Sequence, residues 1–193
     1  RSVMLASASN PTGTLVADGE MVKIVHTVAD LGGTLIVDEI YHGLVYGASA
    51  TTALTHSRDV FVVNSFSKYY GMTGWRLGWL VAPPAYVPAI DKLAQNIFLA
   101  SNTPAQHAAL AAFTPEVQRE LQRRRDIFHE RRDFLLLALR ELGFVIPVVP
   151  EGAFYLYADC SRFAADSQAF TSDLLDRAGV AITPGLDFGL HQP

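Results

Sequence analysis

The sequence predicts an α/β protein, a mostly parallel sheet followed by part of a smaller α+β portion, and three observations carry that expectation. Four short apolar runs occupy the first eighty-odd residues: "VMLAS" (3–7), "TLIVD" (Thr34–Asp38), "VFVVN" (60–64) and "RLGWLVA" (76–82). Their apolar content is nearly continuous rather than alternating, which marks strands covered on both faces. Between the first two, residues 18–31 place Met21, Ile24, Val25 and Val28 at helical spacing and end on Gly32 and Gly33, a helix with a glycine stop. A strand–helix–strand unit implies parallel pairing.

The elements beyond residue 84 read in order as helices and then a mixed segment. Two helices, 84–100 and 104–113, each open with a proline near the first turn. A long helix follows over 116–142, with Val117, Leu121, Phe128, Leu135 and Leu142 on one stripe. At about 1.5 Å per residue it spans about 40 Å, enough to connect two lobes. Its arginines at 123–125 and 131–132 interleave with Glu116, Glu120, Asp126, Glu130, Asp133 and Glu141, the pattern of a solvated, salt-bridged face rather than a nucleic-acid patch. Two strands ("FVIPV", 144–148, and "AFYLYAD", 153–159), a helix (167–178) and a strand ("VAITP", 180–184) complete the reading. The division expected is residues 1–115 for the sheet domain and 116–193 for an incomplete small domain.

Composition excludes several classes. Half of the 193 residues are hydrophobic, which rules out disorder. Lys plus Arg number 15 against 19 Asp plus Glu, and the net charge of −4 gives no general attraction for nucleic acid or anionic membrane. The apolar runs are too short to span a bilayer. The single cysteine, Cys160, cannot form an internal disulfide, which fits a reducing cytosol and a cytoplasmic location. His26, His42, His56, His107, His129 and His191 are scattered without metal-ligand spacing.

The first three strands each end in a polar cluster: "ASNPTG", "DEIYHG" and "NSFSK". Ligands of open α/β sheets sit beyond the strand C-termini, so the clusters form a candidate site. Lys68 stands just past a buried strand, where partial desolvation lowers an amine's pKa and makes it a nucleophile; a surface lysine is the plainer alternative. Ser65, Ser67 and Arg76 add two hydroxyls and a guanidinium, a set suited to phosphate. Asp38 could keep a protonated heterocycle nitrogen charged, Tyr41 could reach the same ligand, and Asn10 could donate an amide hydrogen bond. Taken singly, "NPTG" is an ordinary turn and "DE" an ordinary cap.

Together, "SNPTG", "DEIY", "SFSK", "GMTGWRLGW", "PEGAFYLY" and "AGVAITPGLDFG" resemble the class I aminotransferases, fold type I enzymes that use pyridoxal 5'-phosphate, in order and approximate spacing across essentially the whole chain. The resemblance implies that Lys68 anchors the cofactor covalently and moves the proton between substrate Cα and cofactor C4′. It implies that Asp38 pairs with the pyridinium nitrogen, that Tyr41 and Asn10 bond the ring 3-oxygen, and that Ser65, Ser67 and Arg76 hold the phosphate. Phe154 and Tyr155 would belong to a small-domain loop closing over substrate, with Gly152 giving that loop its turn. The implied substrates are an amino acid, aspartate among them, and a 2-oxo acid, in a homodimer.

The family also has an N-terminal phosphate loop and, after "PGxxFG", an arginine that clamps the substrate carboxylate; neither is in this chain. The expectation is therefore a middle and C-terminal portion of a longer enzyme, inactive alone. A β-eliminating lyase shares the same cofactor residues, and a cofactor-sensing domain of a transcriptional regulator is the alternative from another class. The eight-residue step from Lys68 to Arg76, filled by "YYGMTGW", favours the catalytic aminotransferases.

Overall fold

A computed structural model describes residues 1–189; His191 and the rest of residues 190–193 lie outside the described residues. Strands β1 (Ser2–Ala6), β2 (Thr34–Asp38), β3 (Phe61–Ser65) and β4 (Gly78–Val81) form one sheet in that order. β1, β2 and β3 run parallel, and β4 pairs antiparallel with β3. The sheet is therefore mostly parallel, as the sequence predicts.

Helix α1 (Asp18–Asp30) makes the crossover from β1 to β2. Asp18 and Glu20 in its first turn complement the positive helix end, and left-handed Gly32 and then Gly33 end it with backbone bonds to Ala29 and Val28. Met21, Val25 and Val28, at i, i+4 and i+7, pack on Leu35, Val37, Val60 and Val62 as the main core. That covers one face only. On the other, Met4 is 72% exposed and Val63 and Leu80 are partly open, so the expected cover on both faces is not met within these residues.

β4 is shorter than the 76–82 run because Arg76 takes a left-handed conformation (φ 53°), which cannot continue a strand. The 84–100 helix resolves into a 3-10 turn at Pro84–Tyr86 followed by α2 (Val87–Ile97), and α3 (Thr103–Ala111) is capped by the Asn102 side chain. Helix α4 (Pro115–Leu142) has Thr114 as N-cap, Pro115 in its first turn and left-handed Gly143 as its stop. Its buried residues are Leu121 and Leu136, whereas Leu135 and Leu142 are exposed, Leu142 at 67%. The heptad stripe read from sequence drifts about 20° per heptad on a straight helix, about 60° over three, which carries it off the packed face.

Four of the five clustered arginines of α4 pair with acids among the described residues; Arg131 does not. Arg123 and Arg124 meet Glu120 at 2.7 and 2.8 Å, and Arg125 and Arg132 meet Asp126 and Asp133. The two arginines on Glu120 hold its carboxyl down to about 2.

The strands expected at 144–148, 153–159 and 180–184 are replaced, among the described residues, by a single bridge between Val145 and Asp159 and by irregular chain. Pro147 removes a ladder donor, and Ala153 takes a left-handed φ of 59°. Helix α5 (Ser167–Ala178), capped by Asp166 and ended by left-handed Gly179, falls where the sequence places it. Among the described residues no helix is long and apolar enough to cross a membrane.

Candidate active site

Parallel pairing puts the C-terminal ends of β1, β2 and β3 on one edge. Ala6 stands opposite Asp38 and Asp38 opposite Val63, with Ser65 two residues further along β3. The loops carrying Asn10, Tyr41 and Lys68 all leave from that edge.

Asp38 is half-buried. Its Oδ1 accepts the Ile40 amide at 2.9 Å, which leaves Oδ2 without a hydrogen-bond partner among the described residues. One oxygen thus closes the turn after β2, where the sequence allowed a cap, and the other stays available. Tyr41 is only 4% exposed. Its hydroxyl lies 2.5 Å from the Tyr155 hydroxyl, and its ring meets those of Phe154 and Tyr155 edge-on, centroids 5.7 Å apart in each case. Burial first, then the Tyr155 bond and the nearby Tyr155 and Asp38 oxygens, push the Tyr41 phenol well above its ordinary value.

Lys68, half-buried, places Nζ 5.6 Å from the centroids of both Tyr41 and Phe154. Among the described residues no carboxylate lies within ion-pair distance of it, and its Nζ rests over two ring faces. Ser65 Oγ accepts the Ser67 amide at 3.1 Å, Thr73 Oγ1 donates to the Ser67 carbonyl at 2.6 Å, and Arg76 Nη1 donates to the Thr73 carbonyl at 2.9 Å. This relay fixes the spacing from Ser65 to Arg76. Arg76 is exposed and lines a cavity of about 460 Å³ with Gly71, Gly74, Trp75, Asn102 and Pro104. Lys68, Asp38 and Tyr41 do not line that cavity.

Asn10 is exposed in a turn closed by Gly13 N to Ser9 O at 2.7 Å, and its side chain is hydrogen-bonded to none of the other candidates among the described residues. The structure therefore gathers Asp38, Tyr41 and Lys68 with Phe154 and Tyr155, links Ser65, Ser67 and Arg76 through backbone, and leaves Asn10 at the same edge out of contact.

Phe154 and Tyr155 are delivered by a segment fastened to the sheet loops. The amides of Glu151 and Gly152 both donate to Gly13 O at 3.0 and 2.9 Å, and Ala153 N donates to Leu44 O at 2.9 Å. Tyr46 N donates to Glu151 O and the Tyr46 hydroxyl to Ala153 O, while Arg132 Nη1 reaches Pro150 O at 2.7 Å. The expected role of Gly152 changes. A Cβ there would lie 2.9 Å from Ala8 Cβ and 3.1 Å from Leu44 O, so the glycine is needed for close approach; the left-handed turn belongs to Ala153.

Sequence reasoning missed Glu39, Thr73 and the part played by His42. Glu39 is 3% exposed; Oε1 accepts the Ala53 amide at 2.8 Å and Oε2 lies 3.3 Å from His42 Nδ1. Burial lowers the His42 pKa against the opposing pull of Glu39. The signal was the "DE" pair itself: two adjacent acids at a strand end point to opposite sides, so one must turn inward.

A mostly parallel sheet with an amine, a carboxylate and a phenol pair gathered beyond its strand ends places the chain among α/β proteins with a site at the C-terminal edge. The family model described as aminotransferase class I and II matches residues 1–193. The valine–pyruvate aminotransferase of Mycobacterium tuberculosis is 47% identical over 97% of this chain and 49% of its own length. The aspartate aminotransferase of Thermotoga maritima is 32% identical over 97% of this chain and 48% of its own. A crystal structure of an aminotransferase from Mycobacterium tuberculosis superposes with a TM-score of 0.95 at 46% identity, covering 98% of this chain and 49% of that one. This chain belongs to the class I and II aminotransferases, a family whose members in general depend on pyridoxal phosphate. It spans about half the length of the curated relatives it matches.

Proposed function

We propose that this chain carries the cofactor-anchoring part of a pyridoxal-phosphate-dependent aminotransferase that moves an amino group between an amino acid and a 2-oxo acid. The observation that carries the reading is the Lys68 amine, held over the Tyr41 and Phe154 rings at the strand edge that also carries Asp38, with no carboxylate partner among the described residues. The donor set fits the cofactor. A free Asp38 oxygen suits a ring N–H, the buried Tyr41 phenol suits a ring oxygen, and Ser65, Ser67 and Arg76 suit a phosphate.

When bound, the cofactor supplies an electron sink for the substrate Cα–H bond. Asp38 holds the proton on the ring nitrogen. Tyr41 and Asn10 would hydrogen-bond the 3-oxygen, Ser65, Ser67 and Arg76 would bind the phosphate, and Lys68 would anchor the cofactor and serve as the base and acid for the substrate Cα proton. Residues 1–115 form part of the sheet domain and 116–193 part of the small domain. The full-length protein is a cytoplasmic homodimer serving amino-acid biosynthesis. For the donor, the 47% relative named for valine and pyruvate supports a branched aliphatic amino acid over aspartate, which the 32% relative is named for.

The test uses the full-length protein. Lys68→Ala should remove both the visible absorbance of bound cofactor and all transamination, and retained turnover would reject the assignment. In a donor panel the unaltered protein should turn over valine with pyruvate faster than aspartate. Release of ammonia without amination of the 2-oxo acid would make it a lyase.

A further inference from the structure

A phenol can donate to a ligand only if its proton is not already committed elsewhere, and a buried phenol has few ways to turn. The Tyr41 hydroxyl has one protein hydrogen-bond partner among the described residues, the Tyr155 hydroxyl at 2.5 Å, from a residue 114 positions away. At that distance one hydroxyl donates and the other accepts, and the geometry alone permits either direction. A deprotonated ring oxygen of a bound ligand is an acceptor only. Binding such a ligand at Tyr41 therefore selects one arrangement: Tyr155 donates to Tyr41, and Tyr41 donates to the ligand.

We propose that Tyr155 is a positioning residue for the proposed reaction, holding the Tyr41 oxygen as acceptor so that the Tyr41 proton is delivered to the cofactor's ring oxygen. This rests on the aminotransferase reading above. The relay is built to hold. Tyr155 follows a segment tied to Gly13 and Leu44 by three backbone hydrogen bonds, and its ring packs edge-on against Tyr41. Phe154 beside it contacts Tyr41 on one side and stacks on Phe128 of α4 on the other, centroids 5.8 Å apart. A hydroxyl that accepts one hydrogen bond becomes a better donor of the next, since linked hydrogen bonds polarise one another. Tyr155 thus strengthens as well as aims the Tyr41 donor.

Tyr155→Phe keeps the ring contacts and removes one oxygen. In the full-length protein loaded with pyridoxal phosphate, the visible band of the lysine-bound cofactor is titrated with pH. A donor to the ring oxygen favours the deprotonated form, so weakening it should raise the titration midpoint, by about half a pH unit for a neutral hydrogen bond of ordinary net strength. Tyr41→Phe should raise it further, and Tyr155→Phe added to Tyr41→Phe should change nothing more. A midpoint unmoved by Tyr155→Phe, or a shift that persists in the Tyr41→Phe background, would overturn the positioning role. A parent protein that shows no visible band with pyridoxal phosphate would instead reject the functional reading.

Discussion

Replacing Gly13 with alanine tests the junction that delivers Phe154 and Tyr155. Gly13 has a φ of +66°, and a Cβ there would run into the Pro150 side chain and come within 2.6 Å of the Gly152 carbonyl oxygen. The left-handed conformation costs an alanine about 1–2 kcal/mol, and forcing a methyl into a packed site about 1–3 kcal/mol. The narrower unfolded ensemble returns about 0.4–1 kcal/mol. The net is a loss of about 3 kcal/mol, within a range of about 1–5 kcal/mol. Urea unfolding of the full-length protein followed by circular dichroism reads it out. Gly19→Ala is the matched control, because nothing lies within 4 Å of a Cβ at that position in α1; it should stabilise by about 0.5–1 kcal/mol. If Gly13→Ala stayed within about 0.5 kcal/mol of the parent while the control behaved, the close junction between residues 13 and 150–152 would be wrong.

Two further outcomes follow from the acid behind the site. Glu39→Ala should destabilise by about 2–4 kcal/mol in urea unfolding, since it strands the fully buried Ala53 amide and takes the partner from His42, and Glu39→Gln should cost less because an amide oxygen can still accept from Ala53. The lowered His42 pKa means that the unfolded chain takes up a proton before the folded one does, so stability present above about pH 6.5 should be lost as pH falls toward the folded value. A urea midpoint measured from pH 8 to 5 should show that fall, and His42→Gln should flatten it; an equally steep fall in the variant would place the titrating group elsewhere.

The strands were legible because burial writes itself as unbroken runs such as "TLIVD", and α1 because Met21, Val25 and Val28 repeat at the helical period. The candidate residues at 38, 41, 65 and 68 were legible because they stand immediately beyond those runs. What failed to show was whatever depends on a partner distant in sequence. The face that α4 buries is chosen by what packs on it, so a regular heptad pointed to Leu135 where the packing takes Leu136. The Tyr41–Tyr155 bond joins two loops that no period connects. Arg76 and Ala153 adopt left-handed backbones that their residue types do not advertise, and residues 153–159 look like a strand by composition but pair, among the described residues, only through the Val145–Asp159 bridge.

The stretch from Pro150 to Ala153 has no regular structure, yet a carbonyl or amide of every one of its residues is bonded to a segment distant in sequence. It behaves as a rivet rather than a loop. Its length is consequently fixed: one inserted residue would break the match with Gly13 and Leu44 and turn Tyr155 away from Tyr41. The ordinary expectation that irregular chain absorbs insertions and deletions is reversed for these four residues.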